Sequence, residues 1–344
     1  MTDAKNLTSH LQPQNFCQII GAGAVEPRPG WHHSGLLLVV DGRPYLIDVT
    51  PQNWSDFGDW LFHKDAVFVV THGHMDHFDP MHPWTGVFDS RFANFGSGQE
   101  DTYPVHLFGP QGVVDLLLTT NGFDPTGSKG AGGNTNHTRV TDIYHRLQRI
   151  TDGRTLHVHT LVLNTPEEID GLKFVPFDAV HKWSYQQRSP RHFEGKHTCY
   201  GYIIDSRKKR YLYMPDFEIG KGGKLERNIA LAAKDSSPLD YFIVGCPNPH
   251  NRDTSTPHSA PKDIYRLYTN LKKRQVLTDQ TMVVFTHLNP NWQHFAFENP
   301  GFPEDKLMLA ENGKMVYAGE LALFKEQPKQ AKETDGSHPV HPFL

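Results

Sequence analysis

Residues 69–80 read VVTHGHMDHFDP and put His72, His74, Asp76 and His77 into six consecutive positions. With 22 His in 344 residues, an HxHxDH spacing would arise by chance in about one such chain in 200. The run before it, AVFVV (66–70), is apolar throughout, as in a buried strand. The ligand-type residues begin two positions after that run, at a strand end, where a rigid scaffold presents reactive groups. His72 and His74 alternate by two, so both imidazoles can turn toward one cation. Asp76 and His77 lie further round the turn and suit a second. Four groups cannot all reach one ion comfortably from so short a stretch, and Gly73 lets the backbone fold tightly between them. The bland alternative is a solvated histidine-rich loop.

The same grammar recurs downstream. LKFVPFDAVH ends in His181, KKRYLYMPD in Asp216 and QTMVVFTH in His287. Each is an apolar run closing on one His or Asp, as expected if strand ends converge on one sheet edge. A carboxylate can bridge two cations, while each imidazole supplies one nitrogen. The first cation would then take His72, His74 and His181. The second would take Asp76, His77 and His287, with Asp216 between them.

Composition sets the frame. Hydrophobic residues are 37% and charged residues 21% of the chain, enough apolar material for a core. The 29 Gly and 25 Pro point to many turns and long loops, not to a helical bundle. A net charge of −4 excludes a global basic signature for nucleic acid. Three cysteines without a CxxC pair argue against a disulfide framework and for a reducing cytoplasm. The stretch MTDAKNLTSHLQPQNF has no apolar leader core, and no 18-residue apolar run occurs, so a soluble, cytoplasmic protein is expected.

Along the chain, FCQIIGAGAVEP (16–27) reads as a strand entering a Gly-rich turn. GLLLVVDGRPYLIDVTP (35–51) reads as a hairpin joined at Asp41-Gly42. DFGDWLFHKD (56–65) has helical spacing, and YPVHLFGPQGVVDLLLTTNGF (103–123) reads as strand, turn and helix. The Gly/Asn/Thr-rich 124–155 region reads as a mobile loop or insertion. Strands are expected in 155–164, 172–181, 199–206, 210–216, 239–247 and 281–287, a helix in 259–274, and a final hairpin in 311–324. Residues 1–15 read as an extension and 326–344 as a disordered, Pro-rich tail. Strands outnumber helices and hairpins precede βα units in each half. That pattern suits one layered α/β domain of two mixed sheets over 16–325. His157 and His159 share one strand face and read as structural.

With these residues in place, the chain resembles the metallo-β-lactamase superfamily of hydrolases over roughly residues 16 to 323. The resemblance implies a four-layer αββα sandwich of two mixed sheets. His72-Gly73-His74-Met75-Asp76-His77 stands as the opening motif, and His181, Asp216 and His287 fill the later ones. Asp48, in YLIDVTP, matches an acid that fixes the tautomer of a ligand histidine. The HxHxDH form differs from the HxExD of the flavodiiron branch, and Asp216 stands where classical β-lactamases can carry a thiol. TCYGYIID, TPHSAPKDIYRLY and FTHLNP are similar to the phosphodiesterase branch, which includes tRNase Z and the cyclic-phosphate phosphodiesterases. In that branch the third histidine lies a few residues before the Gly-Tyr pair, which leaves His192 and His197 as alternatives to His181. No long flexible arm of the tRNase Z kind is visible.

The resemblance implies a hydrolase using a hydroxide held between two divalent ions, Zn2+ first, with Mn2+ or Fe2+ compatible. A phosphodiesterase acting on a nucleotide or a small cyclic or diester phosphate is expected, with Asp76 ligating and orienting the nucleophile. His258 matches a proton donor to the leaving alkoxide, or else a polar helix start with Ser259 as N-cap. His32 and His33 in PGWHHSG, and Trp183 and Arg188 in the 182–197 segment, are candidate substrate-binding residues. Rival readings are a lactone, carboxylic ester or amide hydrolase, an iron-dependent oxidative enzyme as in pyrroloquinoline quinone biosynthesis, and a non-catalytic nucleic-acid-binding member. The expected partner is a small-molecule or nucleotide phosphodiester and no membrane. Nucleic acid and a homodimer stay open.

Overall fold

The computed structural model describes residues 11–13, 15–24, 32–48, 50, 67–74, 76–78, 105–114, 156–183, 197–219, 221–248, 259–289, 292, 297, 299–312, 314–318 and 321–323. The strands are β1 Leu11–Pro13, β2 Phe16–Gly21, β3 Gly35–Val40, β4 Arg43–Ile47, β5 Val67–Val69, β6 Val105–Gly109 and β7 Leu156–Thr160, followed by β8 Glu167–Ile169 and β9 Leu172–Trp183. Then come β10 His197–Asp205, β11 Arg210–Met214, β12 Tyr241–Gly245, β13 Met282–Thr286, β14 Leu307–Leu309, β15 Met315–Ala318 and β16 Leu321–Leu323. Two α-helices, α1 Lys224–Ala232 and α2 Pro261–Lys273, complete the described elements used below.

Among the described residues, fourteen of the sixteen strands form two seven-stranded sheets, ordered β15-β2-β3-β4-β5-β6-β7 and β14-β13-β12-β11-β10-β9-β8, and β1 pairs with β16 apart from them. Both seven-stranded sheets are mixed. Antiparallel pairing runs through β2-β3-β4 and β8-β9-β10-β11, and parallel pairing through β4-β5-β6-β7 and β11-β12-β13-β14. The β3–β4 hairpin turns at Asp41-Gly42, with φ of 50° and 81°, the mirror-image turn that matches strand twist.

Strict alternation builds the core. Leu36, Leu38, Tyr45, Ile47, Val67 and Val69 of the first sheet pack with Tyr202, Ile204, Tyr211, Tyr213, Ile243 and Val284 of the second. The opposite face of the second sheet, with Phe177, Met214, Phe242 and Phe285, clusters with Ile229 of α1 and with Ile264, Leu267 and Leu271 of α2. The 264, 267, 268, 271 spacing gives α2 one buried stripe, and each such side chain contributes about 1.5–3 kcal/mol. At the distant edge of the first sheet, His159 stacks on Phe108 at 4.2 Å between ring centres, a packing role.

Parallel pairing has a consequence for function. It sets the C-terminal ends of β4 and β5 side by side, and likewise those of β11, β12 and β13. Since β10 is antiparallel to both β9 and β11, the end of β9 falls on that same edge. Asp48, His72, Asp216 and His287 follow these ends and His181 lies in the last residues of β9, on the edge where open α/β sheets place their ligands.

Several elements differ from expectation. The 311–324 segment does not fold back on itself: β15 pairs with the outer edge of β2, and β16 pairs with β1. β15 thereby covers the open edge of β2, while β16 and β1 form a two-stranded sheet of their own. Residues 11–13, read as part of an extension, are thereby tied into a two-stranded sheet. β8 pairs with β9 across an Asp170-Gly171 turn (φ 47° and 90°), a tight-turn pair of the same kind as Asp41-Gly42. The N-cap of α2 is Ala260 and not Ser259, with Asp263 Oδ2 accepting from the Ala260 N–H at 3.4 Å. The helix at 56–65, the loop at 124–155 and the tail at 326–344 lie outside the described residues, and only the first turn, 111–114, of the helix expected after Gly109 is described.

Candidate metal centre

The loop after β5 is held by its backbone. Val70 N–H donates to Phe108 O at 2.9 Å, and Tyr200 N–H donates to Thr71 O at 3.0 Å, tying it to both sheets. The Tyr202 hydroxyl donates to Val70 O at 2.5 Å. The N–H groups of His77 and Phe78 both return to His74 O, at 3.0 and 2.8 Å, which curls the loop into one turn. That turn separates the first pair of side chains from the second.

The side chains converge as two groups. His72, His74, His181 and Asp216 offer ligand atoms all within 4.8 Å of one another, and so do Asp76, His77 and His287. Asp216 lies between the groups. Its Oδ2 is 3.2 Å from His72 Nε2 and 3.4 Å from His77 Nε2, while its Oδ1 is 3.2 Å from His287 Nε2. Asp76 Oδ2 is 3.5 Å from His77 Nε2 and 3.8 Å from His287 Nε2. His197 belongs to neither group and sits against Gly112. His192 lies outside the described residues.

Outer hydrogen bonds fix which ring nitrogen faces inward. Asp48, fully buried, accepts from Thr71 N and Thr71 Oγ1, both at 2.8 Å, and from His77 Nδ1 at 3.0 Å. Because the Thr71 hydroxyl proton points to Asp48, its oxygen accepts from His72 Nδ1 at 3.0 Å. The Ser34 hydroxyl likewise donates to Gly23 O and accepts from His287 Nδ1, both at 3.1 Å. Glu218 Oε1 accepts from His181 Nδ1 at 3.2 Å. In each case Nδ1 is the nitrogen that donates outward, and Nε2 is the one turned to the centre.

Local backbone is bent to achieve this. Asp48, Val180 and His287 adopt φ of 54°, 65° and 56°, a left-handed region that costs non-glycine residues about 1–3 kcal/mol. The other non-glycine examples described, such as Asp41 and Asp170, serve turns. Two glycines allow close approach: a Cβ on Gly245 would stand 1.6 Å from Pro215 O, and one on Gly21 would stand 1.7 Å from His33 O. Any side chain at Gly245 would displace the segment carrying Asp216.

Electrostatics favour positive charge here. Burial drives the His72 imidazole well below its usual range, and neighbouring His77 adds to this. Burial alone would raise both Asp76 and Asp216, but surrounding histidines outweigh it and hold both carboxyls below the usual carboxylate range. Burial would likewise lower His77, yet Asp76, Asp216 and Asp48 outweigh it and raise its pKa well above the ordinary value. Three buried carboxylates converge, and a buried charge must be paired or metal-bound. Asp76 Oδ2 and His77 Nε2 are buried without a hydrogen-bond partner. Imidazole nitrogen and carboxylate oxygen are the donors that divalent zinc takes. The residues fit a pair of such cations.

The remaining expected site residues are spread around this centre. His33 donates from Nδ1 to Ala24 O at 3.0 Å and lies within the electrostatic reach of Asp76, His77 and His287. Burial lowers its pKa. The His32 backbone N–H donates to Asn312 Oδ1 at 3.3 Å. The Trp183 backbone ends β9 opposite His197, but its side chain, Arg188 and His258 all lie outside what is described. Glu218, Thr71 and Ser34 were missed by sequence reasoning. None of the three left a signal there, because each gains its role from a partner that folding brings near.

Comparisons with solved structures agree on architecture. The metallo-beta-lactamase fold protein YhfI from Bacillus subtilis is 15% identical, with 88% of this chain and 99% of that one covered and a TM-score of 0.56. A diphosphatase from the PhnP family is 18% identical over 88% and 96% of the two chains, with a TM-score of 0.51. Unliganded yeast PDE1 is 13% identical over 83% and 91%, with a TM-score of 0.56. No protein-family model and no curated protein matches the chain. Two mixed seven-stranded sheets, with the paired His/Asp groups on their shared edge, give this chain the metallo-β-lactamase fold.

Proposed function

We propose that this chain is a hydrolase that holds two divalent cations, zinc by preference, and cleaves a phosphodiester in a nucleotide or a small cyclic or diester phosphate. The observation that carries the reading is the adjoining pair of His/Asp groups with Asp216 between them. His72, His74 and His181 would hold the first cation, Asp76, His77 and His287 the second, and Asp216 both. Bound there, the cations would supply a nucleophilic hydroxide at neutral pH and neutralise charge on the phosphate oxygens. The names of two solved structures of this fold, a diphosphatase and yeast PDE1, support the choice of phosphate chemistry.

The chain's own residues then divide the work. Asp76 Oδ2, aimed at the centre and kept ionised, orients the attacking oxygen by accepting its proton in a hydrogen bond. Asp48 and Thr71 keep the Nε2 atoms of His77 and His72 directed inward. His258, next to buried Ser259 before α2, is the proposed donor of a proton to the departing alkoxide. His32, His33, Trp183 and Arg188 are proposed to contact the substrate. A cytoplasmic setting belongs to the same reading, since Cys17, Cys199 and Cys246 are buried free thiols.

The test is turnover of bis-p-nitrophenyl phosphate against a lactone and ester panel, with zinc- or manganese-loaded protein. Phosphodiester turnover that falls at least about 100-fold in Asp76→Ala is expected. Turnover of lactones alone would overturn the substrate class, and full activity in Asp76→Ala would overturn the assigned role.

A further inference from the structure

We propose that Glu218 is a positioning residue that sets the grip of the first cation by orienting His181; this rests on the two-cation reading above. Its carboxylate accepts from His181 Nδ1 at 3.2 Å, leaving Nε2 for the centre. Its backbone N–H also donates to Ala179 O at 3.3 Å, two residues before His181. One residue therefore staples the end of β9 through both backbone and side chain. Because Glu218 follows Asp216 by two positions, the segment that carries the shared carboxylate also orients the third imidazole of the same group.

The end of β9 needs such a hold. Val180 sits at φ 65°, a left-handed conformation that a β-branched residue resists. The bend is braced from the other side by Asp178. Its Oδ1 accepts from Val180 N–H at 2.7 Å, its Oδ2 from Lys224 Nζ at 2.8 Å, and its carbonyl from Asn228 Nδ2 at 2.9 Å. These contacts fix the strand, but none of them touches the imidazole. Rotation of the His181 ring about its own bonds is opposed by Glu218.

Glu218 also differs in kind from the other outer partners. Asp48, Thr71 and Ser34 are fully buried, whereas the Glu218 side chain is 37% exposed. His181 is buried, but with its acceptor partly in solvent the pair is screened and contributes little to folding. Its effect on ligand geometry can therefore be read without disturbing the core.

The experiment titrates metal-stripped, full-length wild type, Glu218→Ala and Glu218→Gln with zinc against a chromophoric chelator, and melts each stripped protein. Wild type takes up two ions. Glu218→Ala loses about 10–100-fold in affinity for one ion and keeps the other. Glu218→Gln stays within a few-fold of wild type, because its amide oxygen can accept the same Nδ1 proton. All three stripped proteins melt alike. Wild-type affinity for both ions in Glu218→Ala would reduce the contact to a surface pair and overturn the inference alone. Equal weakening of both ions with a lowered melt would make Glu218 merely structural, and a Gln variant as weak as Ala would overturn the acceptor argument. No zinc uptake by wild type would sink the two-cation reading itself, and this inference with it.

Discussion

Asp48 is where the two halves of the centre meet. Its carboxylate accepts a hydrogen bond from His77 Nδ1 directly and one from the Thr71 hydroxyl, whose oxygen in turn accepts from His72 Nδ1. The two imidazoles serve different groups, so one buried acid governs a ligand of each proposed cation. Asp48→Asn keeps the shape but turns an NH2 donor toward donors already there, the Thr71 hydroxyl and His77 Nδ1 at Oδ2 or the Thr71 N–H at Oδ1, so bonds become clashes of like dipoles. Zinc affinity should fall at both positions by about 10–100-fold each. Thr71→Val removes only the relay and should weaken one position alone, leaving the Asp48–His77 bond intact. Chelator competition on the two variants reads the difference directly. Equal effects of the two substitutions would rule out the relay. Tyr213 adds a fourth approach to Asp48 at 3.4 Å, so the acid stays buried whichever histidine is disturbed.

At the scale of elements, the centre depends on strand ends, while the helices hold the sheet that carries them. Leu267 of α2 is fully buried on the outer face of the second sheet, in the same cluster as Phe242 and Phe285. Leu267→Ala should destabilise the fold by about 2–5 kcal/mol in a urea titration yet leave two zinc ions per chain. Loss of an ion in the folded variant would mean that α2 also shapes the centre. This separation explains what the sequence could reveal. The HxHxDH loop is local, and Asp216 and His287 each close an apolar run, so their convergence follows from parallel pairing alone. His181 was harder to choose, because a long stretch separates it from Gly201 and holds His192 and His197 as alternatives, and the left-handed bend at Val180 has no glycine to announce it. Thr71, Ser34 and Glu218 gain their roles only from partners brought near by folding. The helix α1, KLERNIALA, escaped notice because its short stripe of Leu225, Ile229 and Ala232 is interrupted by the polar run Glu226-Arg227-Asn228. The pairing of β16 with β1 was hidden for a similar reason: LQP carries a proline and no alternation.

Across the whole molecule, the space between the sheets is lined by tyrosines as well as by aliphatic side chains. Tyr45, Tyr202, Tyr211 and Tyr213 are all essentially inaccessible. The hydroxyl of Tyr45 donates to Ile169 O at 3.0 Å, and that of Tyr202 to Val70 O, so the sandwich satisfies these polar tips by bonding them to the opposite sheet. The cost appears in alkali. Burial raises the pKa of Tyr202, Tyr211 and Tyr213 well above the ordinary value, with Asp48 adding for Tyr202 and Tyr213, and pushes half-buried Tyr241 up to about 12. In the unfolded chain these phenols release their protons near pH 10, whereas the native state retains them. The unfolded state then binds fewer protons, so stability is undiminished below about pH 10 and falls as pH rises beyond it. Each retained proton removes about 1.4 kcal/mol per pH unit. The contribution of Tyr241 levels off near 12, while the three buried rings keep adding to the slope. Urea midpoints measured upward from neutrality should therefore stay flat and then drop steeply, with phenolate absorbance from these rings appearing together with unfolding. Phenolate absorbance from all of them well before any loss of structure would show that the space between the sheets admits hydroxide. That outcome would contradict the sealed core on which the alignment of the two sheet edges, and so of the metal centre, depends.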